Sequence, residues 1–271
     1  MANSALLESD VLSAEDFNRL IPHIHDQKDF PVDMLDGLES IYRTHGVNNK
    51  YGCILLHRHY DMPDKYIALT TELGEHTSIT KATPLSNVSS SAIRGQLYLL
   101  NEQGRFQAYE YEYGSPLSFP DAFLKELAAF IQANGLRDRI AITSSIEEKP
   151  RVEIQLGSDA TVTYPPKDPN TSMKGQEANP SSKRTGWDFR DEPKPDIFCP
   201  LFYIQIGGGG PPRFCFLFYA GPPLKQIELK RGAEGNQVAS SNDLSVKFPT
   251  SRPFDIEKHD VKQILREADL I

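Results

Sequence analysis

Three pairs of short strand-like runs, each closed by a tight-turn signal, restrict the fold of this chain more than any other feature. Residues 96–100 and 106–113 flank Asn101-Glu-Gln-Gly104, and residues 152–156 and 161–164 flank Gly157-Ser-Asp159. Residues 51–59 run up, Asp61-Met-Pro-Asp64 turns, and residues 66–72 run back. In the run 106–113, Tyr109, Tyr111 and Tyr113 alternate with Glu110 and Glu112, the period of two of a strand. A further strand is expected at 140–143.

Helical signals sit between these hairpins. Ser13 caps a run from Ala14 to Ile21 that Pro22 closes, and Pro31 opens a second run whose Leu35, Leu38, Ile41 and Tyr42 share a face up to Gly46. Ser118 and Asp121 have the spacing of a capping box before the stripe Phe123, Leu124, Leu127, Phe130, Ile131 and the stop at Gly135. A last helix, capped by Asp255, aligns Val261, Ile264, Leu265 and Ala268. Hairpins with interspersed helices predict an α+β fold: a mostly antiparallel β-sheet with helices packed on one side, in a single domain over 1–271. Residues 165–196 interrupt the pattern. They are rich in Pro, Lys, Ser, Asn and Asp, and read as a long polar insertion or lid, although Trp187 and Phe189 lie within them. Strands are expected again at 199–206 and 213–219, joined by Gly207-Gly-Gly-Gly-Pro-Pro212; that run lacks both the Walker and the Rossmann spacing.

The run Tyr51-Gly-Cys-Ile-Leu-Leu-His-Arg-His-Tyr60 holds the candidate chemistry. As a regular strand paired with 66–72, it puts Ile54, Leu56, Ile67 and Leu69 on a core face. Cys53, His57, His59, Thr70 and Glu72 then share the other face, open to water or a cleft. His57 and His59, about 6.6–7 Å apart on such a strand, could converge on one metal ion or substrate, with Glu72 or His76 as a third ligand. A metal-free acid, base or binding role fits the same pair, and so does a plain solvated strand face. Truncating either histidine is then expected to cost roughly 1 kcal/mol or less. Cys53 lies about 13 Å along the strand from His57, too far for a thiolate–imidazole pair. Arg58 falls on the opposite face.

A net charge of −8 and a pI near 5.4, with no Lys/Arg-rich block, argue against nucleic-acid binding. No stretch approaches the roughly 18 apolar residues of a membrane span, and the N-terminal residues lack a basic leader. Cys53, Cys199 and Cys215 are few and odd in number, which fits free thiols in the cytosol. The sequence requires no cofactor, and it leaves the oligomeric state open.

Leu56-His-Arg-His-Tyr60, with Gly186-Trp-x-Phe189 further on, resembles a group of uncharacterised proteins of filamentous fungi that carry Leu-His-Arg-His-Phe at the corresponding hairpin. Tyr60 departs from that pattern, and the resemblance covers a small part of the chain. It implies a setting in fungal specialised metabolism and brings no established activity.

The functional expectation is a small cytosolic enzyme or enzyme-like binder acting on a small molecule. His57 and His59 are its catalytic candidates, and Thr70, Glu72 and Trp187 its substrate contacts. The competing expectation is a non-catalytic interaction module that docks through residues 165–196.

Overall fold

The Ser13 hydroxyl accepts from the Asp16 amide and starts helix α1 (Ala14–Asn18), as the sequence predicts. Helices α2 (Val32–Thr44) and α3 (Asp121–Ala133) follow their apolar stripes. Gly46 and Gly135, at φ of 63° and 61°, supply the left-handed turns that end them. The capping box at Ser118 is not formed, because α3 opens from Pro120 without a side-chain cap. In α4 (Val261–Glu267) the Gln263 amide donates to Asp260. The structure, a computed structural model, describes residues 11–21, 27–28, 30–74, 76–144, 151–156, 158–165, 185–187, 189, 201–204, 227–231, 237–244 and 260–267. Cys199, Cys215, the 207–210 glycines, the 213–219 run, Asp255 and most of 165–196 lie outside these residues.

The strands are β1 (Gly52–Leu55), β2 (Tyr66–Gly74), β3 (Thr77–Pro84), β4 (Ile93–Leu100), β5 (Phe106–Tyr113), β6 (Ile140–Thr143), β7 (Arg151–Leu156), β8 (Ala160–Tyr164), β9 (Gly186–Trp187), β10 (Leu201–Ile204), β11 (Ile227–Arg231) and β12 (Gln237–Leu244). Strands β11 and β12 form a separate two-stranded sheet. The others make one sheet in the order β10-β7-β8-β3-β2-β5-β4-β6-β1-β9. The β4–β5 and β7–β8 hairpins form as the sequence predicts. The sheet is mixed, since β2 runs parallel to β5 and β7 to β10 while its other described pairings are antiparallel.

The predicted pairing of 51–59 with 66–72 does not form. Strand β1 ends at Leu55 and lies between β6 and β9, while β2 is taken by β3 and β5. Beyond Leu55 the backbone is committed elsewhere: the Leu56 amide donates to Arg139 O and the Arg58 amide to Ile21 O.

Helices occupy both faces of the sheet, not one. Alternation along β1, β6 and β4 separates two clusters. Cys53, Leu55, Ile140 and Ile142 face outward beneath Leu38, Ile41 and Tyr42 of α2 and Phe123, Leu127 and Ile131 of α3. Ile54, Leu56, Ala141, Leu97 and Leu99 face inward, with Phe17 of α1 packed among them. Trp187 belongs to the outer cluster, its ring 5.1 Å from Phe30. Gly52 lets β9 come this close, because a Cβ at Gly52 would lie 2.5 Å from the Trp187 carbonyl oxygen. Gly52→Ala should therefore lower stability by about 1–3 kcal/mol through forced displacement of the β9 backbone. A urea melt unchanged from wild type would contradict this packing.

Candidate functional site

The chain leaves the sheet at Leu55 and turns into the inner side of a strongly curled sheet. His59 shows the curl directly. Its Nε2 lies 3.2 Å from Glu153 Oε1 of β7 and 3.8 Å from Glu110 Oε1 of β5. In the sheet order β1 is ninth and β7 second. Seven steps of about 4.8 Å would put the two roughly 34 Å apart in a flat sheet.

Arg58 fixes the entry of this segment. Its Nε donates to Leu20 O at 3.0 Å, and its guanidinium pairs with Asp61. Asn18 adds a reciprocal pair of hydrogen bonds to the Met62 backbone. With Arg58 held by the end of α1, the flanking imidazoles turn inward. Their ring centroids stand 4.7 Å apart at 87°. His57 Nδ1 lies 2.7 Å from Leu55 O. A carbonyl only accepts, so Nδ1 carries the proton and the lone pair is on Nε2.

The two carboxylates arrive by different routes. Glu153 pairs in register with Thr163, on the inward side of β7. Glu110 owes its place to a bulge. Leu97 and Tyr98 are adjacent on β4, yet they face Glu110 and Ala108 on β5 and leave Tyr109 as the extra residue. A bulge shifts the alternation by one. Tyr109 therefore packs with the inner residues Ala68 and Ala82, while Ala108 and Tyr111 pack with Ile67 and Leu69 on the other side. Glu110 aligns with Ala68, again on the inner side.

His57, His59, Glu110 and Glu153 are only 3%, 8%, 5% and 7% exposed, so desolvation governs their charges. Burial pushes Glu110 up to about 8, with the neighbouring Glu153 adding to the shift, and burial also pushes Glu153 up to about 8. Burial lowers His57 to about 4 against the lift from Leu55 O, and it lowers His59 well below the usual imidazole value, with His57 adding to the effect. The hydroxyls of Tyr60 and Tyr109 are buried and make no hydrogen bond among the described residues. Burial, then Glu110 and Glu153 among the nearby charges, holds both phenols protonated. Two carboxyls, two imidazoles and two phenols thus meet inside the curl.

Of the residues singled out in the sequence, His57 and His59 meet here. Thr70 is buried on the inner side of β2, where its hydroxyl contacts Thr80 at 2.8 Å and donates to Gln96 at 2.7 Å. Glu72 is exposed further along β2, and His76 occupies an exposed turn at φ 59°. Trp187 lies in the outer cluster, paired with Cys53 and on the far side of β1 from the histidines. Cys53 is buried in that cluster. Burial of His57 and His59 removes the ground for expecting truncation to be nearly free, since the histidine face is not solvated.

Sequence reasoning missed Glu110, Glu153 and Tyr60 as site residues. The signals were faint: a glutamate between two tyrosines in a central strand, and another between Val152 and Ile154. Against protein-family models, curated proteins and solved structures, the chain finds no match. The functional reading therefore rests on the site itself. No described helix is long and apolar enough to cross a membrane.

Proposed function

We propose that this protein binds a small molecule on the inner side of the curled sheet and acts on it by proton transfer through His57, His59, Glu110 and Glu153. One observation carries the reading. Four ionisable side chains, all nearly excluded from water, converge from the segment after β1 and from β5 and β7. Burying such groups costs stability that apolar residues of similar volume would not, and such expense concentrates where chemistry is done. At neutral pH the carboxyl groups are proton donors and the neutral imidazoles acceptors, the complementary pair that general acid–base catalysis needs. Ala68, Thr70, Thr80 and Ala82 lie in register on the inner side of β2 and β3. These short side chains leave the reacting groups the dominant polar features there, and Thr70 is the adjacent hydroxyl for a ligand to meet. A docking role for the 165–196 segment loses its aromatic anchors, because Trp187 and Phe189 are buried against Phe30 and Tyr42.

A thermal-shift screen of small polar metabolites tests the proposal. Ligands that stabilise the wild-type chain should bind His59→Gln and Glu153→Gln at least tenfold more weakly, about 1.4 kcal/mol. If every ligand found binds wild type and both variants alike, the site assignment fails.

A further inference from the structure

We infer that the same cluster is a centre for a divalent first-row transition-metal ion, held by His57, His59 and Glu153, with Glu110 beside the remaining coordination position. The inference rests on the site proposed above, and with the ion bound it leaves Glu110 as the proton-transfer residue of the four.

The donor set comes first. Ligand atoms of His57, His59 and Glu153 all lie within 4.8 Å of one another. Two ligands about 2.1 Å from a tetrahedral ion are about 3.4 Å apart, so the set needs a contraction of at most about 1.4 Å, within reach of side-chain rotations. The imidazole geometry follows. His57 donates Nδ1–H to the Leu55 carbonyl at 2.7 Å. Ligating histidines are held by such an outer hydrogen bond, which fixes the tautomer and directs the Nε2 lone pair to the ion. The third point is charge. Glu110 and Glu153 are buried together, and among the described residues the one basic side chain shown within 4 Å of either is His59. A divalent ion would supply the cation that these two buried carboxyl groups otherwise lack among the described residues.

The ligand types narrow the ion. Two imidazoles with one or two carboxylates suit zinc, iron(II) or manganese(II), whereas magnesium and calcium favour all-oxygen sites. Three protein ligands leave a position open, the arrangement of a catalytic rather than a structural centre. The buried hydroxyls of Tyr60 and Tyr109, which make no hydrogen bond among the described residues, supply donors for an oxygen of the molecule at that position. The substrate class this favours carries a carboxylate or carbonyl oxygen able to meet both the ion and a phenol.

The test uses the full chain, stripped with a chelator, dialysed, and titrated separately with cobalt(II) and zinc(II). About one ion per chain should bind, with the visible absorption of cobalt in a low-symmetry nitrogen and oxygen site. His57→Ala, His59→Ala and Glu153→Gln should each weaken binding by 100-fold or more. His45→Ala should leave it unchanged, because His45 is paired with Glu126 at the surface and remote from the cluster. Circular dichroism identifies any variant that fails to fold, and Glu153→Asp, which keeps the carboxylate, should then retain measurable binding where Glu153→Gln has lost it. Absence of tight binding by the wild type, or equal binding by wild type and the three ligand variants, overturns the inference. The metabolite screen, repeated in chelator, separates the two readings: ligand binding that persists there and still depends on His59 and Glu153 keeps the proton-transfer site while the metal centre falls.

Discussion

In the presence of a chelator, the protein should be most stable between about pH 4.5 and 6.5 and should lose roughly 2–4 kcal/mol as the pH rises to 8. Glu110 and Glu153 have folded-state values raised to about 8, against 4.5 for an ordinary carboxyl. Between those limits the folded chain holds two protons that the unfolded chain has released. Stability therefore falls with rising pH, by at most about 2.7 kcal/mol per unit for two protons. The histidines oppose this at the acidic end. His57 is lowered from 6.5 to about 4 and His59 moves the same way, so below 6.5 the unfolded chain takes up protons that the folded chain refuses. Carboxyl and imidazole contributions cancel between about 4.5 and 6.5, and only the carboxyls act above that. Urea midpoints at pH 5.5, 6.5, 7.5 and 8.5 measure the effect. A midpoint that is flat or rises from 6.5 to 8 would show that the carboxylates are solvated or charge-paired in the chelated fold. Glu110→Gln combined with Glu153→Gln should flatten the curve, leaving the fold more stable than wild type at pH 8 in chelator.

Much of the fold was legible because its signals are local. The Ser13 cap, the stripe from Phe123 to Ile131 with its stop at Gly135, and the Asn101 to Gly104 turn each sit within a few residues of the structure they specify. The Asp61 to Asp64 signal was also real, for Lys65 takes a left-handed φ of 63° at the entry to β2. What it joins was misread. Whether β2 pairs with β1 or with β3 and β5 depends on competition among distant strands, which no turn residue records. The candidate site failed for the same reason. His-x-His was visible as a pattern, but the regular alternation that assigned its face stops at Leu55. Glu110 was hidden by a bulge, since an uninterrupted period of two puts Tyr109 and Glu110 on opposite sides. Above all, strand alternation distinguishes two faces and does not say that one of them is enclosed. Only the curl of the sheet turns the face that carries Glu110 and Glu153 into an interior.

Phe123→Ala should be the most destabilising single substitution on the outer side of the sheet, at about 3–5 kcal/mol, while leaving the inner site intact. Phe123 is fully buried, edge-on to Tyr42 with centroids 5.0 Å apart, and also faces Tyr51 and His45. Removing the ring opens a void between α2, α3 and β1. Little can collapse into it, because Tyr42 is tethered through its hydroxyl to Gly52 O at 2.9 Å. The same tether makes Tyr42→Phe a milder companion variant, losing about 1 kcal/mol for the unpaired carbonyl. The functional groups lie on the other side of β1, among Ile54, Leu56, Tyr60 and Tyr109, so the void does not touch them. Chemical denaturation should show the stability loss. Cobalt or metabolite binding, measured at a temperature where the variant is still folded, should change less than threefold. Binding lost in parallel with stability would mean that the two faces of β1 are mechanically coupled. The inner cluster would then depend on the α2–α3 packing, and the separation of scaffold from site drawn along Cys53, Ile54, Leu55 and Leu56 would fail.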